Sequence, residues 1–299
     1  MVALGNLYIW GNNQNMKKII AVVLFFFSLH FYAQENSLKF DKKFFECENQ
    51  WVALKMNDKD PTYMLGVIYF DPYKGYVFNT MNDFKIDESN IFIPTEEQNS
   101  TNIINVVSNV NLRFSTIPEA KYKELNIDKL NEIFNTIRYD ENDADDLIKK
   151  GYHLNHVGAS EVAIPILEKA EKINPKANGL LFELGYAYNA TKQYKKTITL
   201  LHIGISKFER NNWLLYKELI FALVFEKQLD NAEETFKNGL KNVKNKTNVA
   251  ESSYNIAYGY FTEKNKKKFE EWFSITSQHS NNESQYIKNL ELMKKELNR

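Results

Sequence analysis

Two patterns of apolar and polar positions divide this chain. From about Phe40 to Ser115, short runs rich in Val, Ile, Tyr, Phe and Trp are punctuated by Asn, Asp, Pro and Gly. That is the rhythm of strands joined by turns. The runs are Gln50–Met56, Tyr63–Phe70, Gly75–Thr80, Phe84–Ile86, Ile91–Ile93, Ile103–Val107 and Val110–Phe114. In the last run Val110, Leu112 and Phe114 alternate with Asn111, Arg113 and Ser115, which predicts a strand with one wet face. Asp71-Pro72-Tyr73-Lys74-Gly75 predicts a hairpin turn: Asp can bond the backbone ahead, Pro presets φ, and Gly accepts the positive φ that closes the turn. A small antiparallel sheet domain over 34–117 is expected. It gives way to a helical linker over 118–143, where Asp128 starts a helix with Leu130, Ile133, Phe134 and Ile137 on one face.

The second pattern is a repeat. Leu147, Gly151, Tyr152, Leu154, Asn155, Ile164, Leu167 and Ala170 recur thirty-four positions later as Leu181, Gly185, Tyr186, Tyr188, Asn189, Ile198, Leu201 and Gly204. A period of this length marks stacked helical hairpins. A third unit, one residue late, starts near Trp213 with Leu219, Leu223, Leu229, Ala232, Phe236 and Gly239. A fourth keeps Ile256, Ala257, Tyr260, Phe269 and Phe273. The units span 144–177, 178–211, 213–246 and 250–279 within a repeat region of 144–282. A last helix over 283–299 sets Ile287, Leu290, Met293 and Leu297 on one face, as the cap of an open solenoid needs. The expected class is α+β: a small antiparallel β domain followed by an all-α helical-hairpin solenoid.

The order of apolar residue, Gly, aromatic, Ala, large apolar, Ala and Pro in these units resembles the tetratricopeptide repeat. Gly151 and Ala163 would let the paired helices approach, and Pro175 would stop the second helix. In the second unit Thr197, Gly204 and Glu209 depart from the pattern, and each is expected to weaken packing by about 1 kcal/mol. The resemblance implies a groove lined by the first helix of each unit, and a role in binding a protein or peptide there. Carried over position by position, the groove residues are Ile148, Tyr152, Asn155 and His156, then Phe182, Tyr186 and Asn189, then Lys217 and Phe221, then Tyr254 and Tyr258. Tyr gives large contact area at small entropic cost, and Asn can bond a peptide backbone. The same aromatics could instead pack against a neighbouring repeat or the sheet domain. A clamp for a terminal carboxylate is not expected, because Ile148 and Tyr152 stand where it needs Lys and Asn.

Composition narrows the functional classes. Lys plus Arg and Asp plus Glu both number 38, so no long-range field draws nucleic acid or anionic membrane. Of the basic residues only Arg113, Arg138, Arg210 and Arg299 are guanidinium donors, the group favoured for bidentate phosphate contacts. Met16-Lys17-Lys18 and the apolar run to Ala33 have the layout of a secretory signal peptide, with cleavage expected after Ala33 and residues 1–15 upstream of it. The segment ending FYAQE is similar to signal peptides of the Bacteroidota, and the whole pattern to uncharacterised exported repeat proteins of that group. Ile19 to Phe31 is shorter than the roughly 18 to 20 residues that span a bilayer, so no lasting transmembrane anchor is expected. The chain should be exported to the periplasm, or secreted, in a Gram-negative cell envelope. Cys47 is the single cysteine, excluding an intrachain disulfide, and is expected to be a small buried apolar residue.

No Gly-rich phosphate loop, nucleophile elbow or paired metal-ligand motif stands at its diagnostic spacing. His153 and His156 share a helix face without a third ligand nearby, and the acidic stretch Asp140–Asp146 lacks the central Gly and closing Glu of a calcium loop. The sequence therefore points to a binding protein rather than an enzyme, with no cofactor and no metal. The alternative is a glycan-binding sheet domain whose cluster of Trp51, Tyr63, Tyr69, Phe70, Tyr73, Tyr76 and Phe78 stacks on sugar rings, with the repeats as scaffold.

Overall fold

The computed structural model describes residues 38–299 apart from 56, 58–59, 96–102, 129–138, 245–247 and 282–283. The signal-like segment and the helix face from Leu130 to Ile137 lie outside the described residues. The chain divides into two compact units, one of residues up to 70 with 76–137, the other of 71–75 with 138–299.

In the first unit the strands are β1 (Gln50–Lys55), β2 (Thr62–Asp71), β3 (Gly75–Ile86), β4 (Phe92–Pro94), β5 (Ile103–Val106) and β6 (Phe114–Thr116). The sheet order is β4-β3-β2-β1-β6, with β5 also paired to β3. Its ladders are antiparallel, with Trp51 opposite Val67, Ala53 opposite Ser115 and Val77 opposite Val106. The β2–β3 turn follows its sequence chemistry: Asp71 Oδ1 accepts from Tyr73 N at 2.8 Å and Lys74 N at 3.0 Å, and Gly75 sits at φ 88°.

Two strand expectations are corrected. Gly75–Thr80 and Phe84–Ile86 form one strand, because exposed Asn82 and Asp83 sit where β3 passes from β5 to β4 on the same edge, and water solvates them there. Val110–Phe114 is not a strand. Asn109 gathers the backbone of Asn111 and Leu112 into a turn, and β6 starts at Phe114. Ser115 then points inward, only 3% exposed, with its hydroxyl accepting from Lys39 N at 2.9 Å.

Trp51, Ala53, Leu65, Val67, Phe84, Phe92, Ile117 and Leu125 make the core on one face, and Trp51 Nε1 donates to Asp128 O at 2.9 Å. Trp51, Tyr69, Phe70, Tyr76 and Phe78 are all buried and Tyr63 half-buried, so of the proposed glycan platform only Tyr73 is exposed, with the Lys149 ammonium 5.1 Å from its ring centroid. The aromatic richness of the strands is spent on a small sheet core. Cys47 is fully buried, and burial pushes its thiol up to about 11.

The second unit holds nine helices among the described residues. They are α1 (Ala144–His156), α2 (Ser160–Ile173), α3 (Leu180–Ala190), α4 (Tyr194–Lys207), α5 (Trp213–Phe225), α6 (Leu229–Asn242), α7 (Val249–Thr262), α8 (Lys266–Gln278) and α9 (Gln285–Leu297). The acidic stretch before α1 is a cap: Asp143 accepts from Asp146 N at 3.0 Å, and further carboxylates sit at the positive end of the helix dipole.

One turn is reused in all four hairpins. Gly158, Lys192, Lys227 and Lys264 each take positive φ between the first and second helix of a unit. In each, the next residue's N–H reaches back to a carbonyl of the first helix: Ala159 to Leu154, Gln193 to Tyr188, Gln228 to Leu223 and Asn265 to Tyr260. This closure satisfies carbonyls that the helix end would leave open. The fourth unit, weak by residue identity, is therefore the same hairpin by backbone.

Inside each hairpin small residues meet large ones. A side chain at Gly151 would run into Leu167, and one at Gly204 would lie 2.7 Å from Leu181. The departures in the second unit are thus compensated. Leu181 fills the space at Gly204, and buried Thr197 donates its hydroxyl to Gly185 O at 3.3 Å. A continuous apolar core runs from Leu181 to Leu290, with α9 packed on α7 and α8 as its lid.

Each first helix packs against the next first helix, α1 on α3, α3 on α5 and α5 on α7. Between second helices the stack opens: a cleft of about 440 Å³ lies between α2 and α4, and one of about 620 Å³ between α4 and α6. The first helices thus make a closely packed inner layer, and the second helices an outer layer parted by clefts.

Candidate functional site

The inner layer carries one aromatic ring per unit at the same repeat position: Tyr152 on α1, Tyr186 on α3, Phe221 on α5 and Tyr258 on α7. Tyr152 is 49% and Tyr186 38% exposed, while Phe221 and Tyr258 are partly buried. His156 is exposed one turn after Tyr152, its ring 6.1 Å from that of Tyr152. Phe182 is half-buried one turn before Tyr186, with 6.4 Å between centroids. The rings grow denser towards the last units: Phe225, 42% exposed, stacks on Tyr194 at 5.2 Å, lies 4.5 Å from Phe221 and 6.3 Å from Tyr258.

Other residues expected in the groove do different work. Ile148 is 7% exposed and belongs to the packing between units. Asn155 and Asn189 are also buried, and their amides tie successive first helices together. Asn155 Nδ2 donates to Glu183 O at 3.0 Å and to Glu183 Oε2 at 2.9 Å. Asn189 Nδ2 does the same to Glu218 O at 3.0 Å and Glu218 Oε2 at 2.9 Å. With their Nδ2 groups engaged this way, these two residues are positioned as rungs of the stack. Tyr254 is half-buried under α9, its ring 5.2 Å from Tyr286, and its hydroxyl accepts from Asn289.

Lys217 joins the rungs to the fourth unit. Its Nζ lies 3.2 Å from Glu218 Oε1 and 3.2 Å from Glu251 Oε1. Burial would lower its pKa, but the two carboxylates outweigh burial and hold the ammonium above its usual value. Burial pushes Glu218 above the ordinary carboxylate range, against the pull of Lys217 and Asn189. Burial also raises Glu183, against the Asn155 hydrogen bond and with Glu218 adding to the rise. Between these groups is a cavity of about 210 Å³ lined by Tyr186, Asn189, Ala190, Lys217, Glu218, Phe221 and Glu251.

Sequence reasoning passed over Glu183, Glu218 and Glu251. The signal was present for the first two, which stand at the same repeat position and follow the two matched asparagines. Among the described residues no group of three or more His, Cys, Asp and Glu is arranged to hold a metal ion, and no helix is long and apolar enough to cross a membrane.

The helical unit is thus a tetratricopeptide-like hairpin repeat that follows an antiparallel sheet unit in the sequence. Solved structures to which the chain is similar include those of MamA. MamA of AMB-1 is 20% identical, with 47% of this chain covering 81% of that chain at a TM-score of 0.38. A second AMB-1 crystal form gives 20% identity, 49% and 79% coverage, and a TM-score of 0.39. MamA of MSR-1 gives 18% identity, 59% and 89% coverage, and a TM-score of 0.37. No protein-family model matches the chain, and no curated protein matches it.

Proposed function

We propose that this chain is an exported, non-catalytic scaffold that holds a segment of a protein partner along the inner layer of its repeats. The observation that carries this reading is the ring repeated once per unit, Tyr152, Tyr186, Phe221 and Tyr258, with the first two substantially exposed. A monomer gains nothing by presenting large rings to water at a fixed period, whereas a bound segment would bury them at small entropic cost. The signal-like start supports export, and the lack of a reactive constellation in the sequence supports a role without chemistry of its own. N-terminal sequencing of the native protein tests export, with Gln34 as the expected first residue.

The test of the scaffold is a crosslinked pull-down from native envelope with the chain from residue 34, beside a Tyr152→Ala, Tyr186→Ala double variant of unchanged circular dichroism. A partner captured by the parent and lost from the variant is expected. A partner retained by both would move binding off the inner layer and sink the reading.

A further inference from the structure

We propose that the cavity between α3, α5 and α7 is a pocket for a cationic side chain, a lysine or arginine of the segment held on the inner layer. This rests on the scaffold reading and gives it a chemical preference.

The first observation is charge. Two carboxylates, Glu218 and Glu251, face a single ammonium, Lys217, whose Nζ touches one oxygen of each. With both carboxylates ionised the site is one positive charge short of neutral. The Glu251 side chain keeps 29% of its surface accessible, so its carboxylate can be reached from solvent.

The second observation is an unused acceptor. Asn189 lines this cavity and is only 5% exposed; its Oδ1 has no hydrogen-bond partner, while its amide nitrogen is committed to Glu218. A buried carbonyl oxygen without a donor costs about 1 to 3 kcal/mol unless something supplies one. An entering ammonium or guanidinium would.

The third observation is the walls. Tyr186 from α3 and Phe221 from α5 flank the cavity at equivalent repeat positions. Aromatic faces beside a carboxylate attract cations and also cover the aliphatic stem of lysine. Apolar rings alone would suit any apolar side chain. The carboxylate excess and the orphan oxygen select a cation, and a carboxylate-bearing segment would be repelled.

The experiment is selection of a phage-displayed random dodecapeptide library on the full chain, followed by titration of the best synthetic peptide and its single norleucine and glutamate replacements. Lysine or arginine enriched at one position is expected, with the norleucine peptide weaker by about tenfold or more, a loss that shrinks in high salt. Glu251→Gln should erase the difference between the lysine and norleucine peptides. Lys217→Gln, which removes the competing ammonium, should tighten the lysine peptide several-fold and leave the norleucine peptide unchanged. Peptides that depend on Tyr152 and Tyr186 but show no basic preference would overturn the cation pocket and leave the scaffold standing. Selection of no peptide sensitive to the inner-layer tyrosines would overturn both.

Discussion

Glu218 and Glu233 are both carboxylates buried between neighbouring repeats, yet their pKa values are shifted in opposite directions. Glu218, on the inner layer, accepts from one amide and one ammonium, and burial dominates, so its pKa is raised. Glu233, on α6 in the outer layer, accepts from Tyr260 at 2.7 Å, Trp272 Nε1 at 2.9 Å and Lys268 at 2.8 Å, with Lys237 at 3.3 Å. Burial raises Glu233 too, but the bonds from Lys268, Tyr260 and Trp272 outweigh it and bring its pKa down to about 2. The two differ both in the number of donors collected around the carboxylate, more at Glu233, and in how heavily burial weighs on it, more at Glu218. A similar outer arrangement joins the first two units, where Tyr188 donates to Glu168 at 2.7 Å with Lys196 at 3.7 Å. Tyr188 and Tyr260 share a repeat position, as do Lys196 and Lys268. At the middle junction those positions hold Leu223 and Asn231, no such triad forms, and the larger of the two outer clefts described above lies there.

The largest expected effect comes from breaking the outer hub. Glu233→Gln should cost about 3 kcal/mol at pH 7, because the Lys268 ammonium loses the nearer of its two carboxylate partners, Glu271 being the other, and the Tyr260 and Trp272 donors lose a charged acceptor. A carboxylate depressed in the fold stabilises above its unfolded value, and that stability is lost as pH falls towards the folded value. The deficit of Glu233→Gln should therefore shrink between pH 5 and about 2. Urea titrations at neutral pH and near pH 3 measure it, and a pH-independent deficit would show that the charge is not what matters.

The inner rungs should behave with the reverse sign and smaller size. Asn189→Ala leaves the Glu218 backbone carbonyl and carboxylate short of a donor and is expected to cost about 1.5 kcal/mol. In Glu218→Gln the amide can still accept from Asn189, so the variant should lie within about 1 kcal/mol of the parent at pH 8. A carboxylate raised in the fold binds its proton more tightly there than when unfolded, so its stabilising contribution is full below the unfolded value and fades as pH rises. The parent should gain on Glu218→Gln as pH is lowered from 8 towards 4.5, the opposite trend to Glu233→Gln. Melting curves of the two variants across this range would settle whether the two layers are wired differently.

This contrast marks the boundary of what the sequence revealed. Apolar periodicity exposed the helical units, because Leu147 and Leu181, or Leu167 and Leu201, keep their packing roles in the first two hairpins. It carried the strands less well, since Asn82 and Asp83 read as a turn and Ser115 as a wet residue until their partners are known. The inner aromatics were legible from position alone. Asn155 and Asn189 were legible as a repeat but not as rungs, because their acceptors lie on the next helix. Glu233 was hidden altogether: it replaces the apolar Ile164 and Ile198 of the earlier units, and its donors Tyr260, Lys268 and Trp272 all come from the following one. A charged residue at an apolar repeat position is the signal that would have found it.

The smallest expected effect tests whether the backbone is common to both sides of that contrast. Lys192, Lys227 and Lys264 hold φ between 55 and 61°, where a side chain costs energy, while Gly158 holds φ 73° in the same turn with nothing within 4 Å of an added Cβ. Gly158→Ala should then lose about 1 kcal/mol through the backbone alone. Each of Lys192→Gly, Lys227→Gly and Lys264→Gly should gain about 0.5 kcal/mol, the relief of strain being partly offset by the greater freedom of glycine in the unfolded chain. Equal gains at all three positions would mean that the four hairpins share one turn and that the junctions differ only in side-chain chemistry. A gain at Lys192 with a loss at Lys264 would place part of the difference between the early and late units in the backbone itself, and the contrast between Glu218 and Glu233 could no longer be assigned to side-chain surroundings alone.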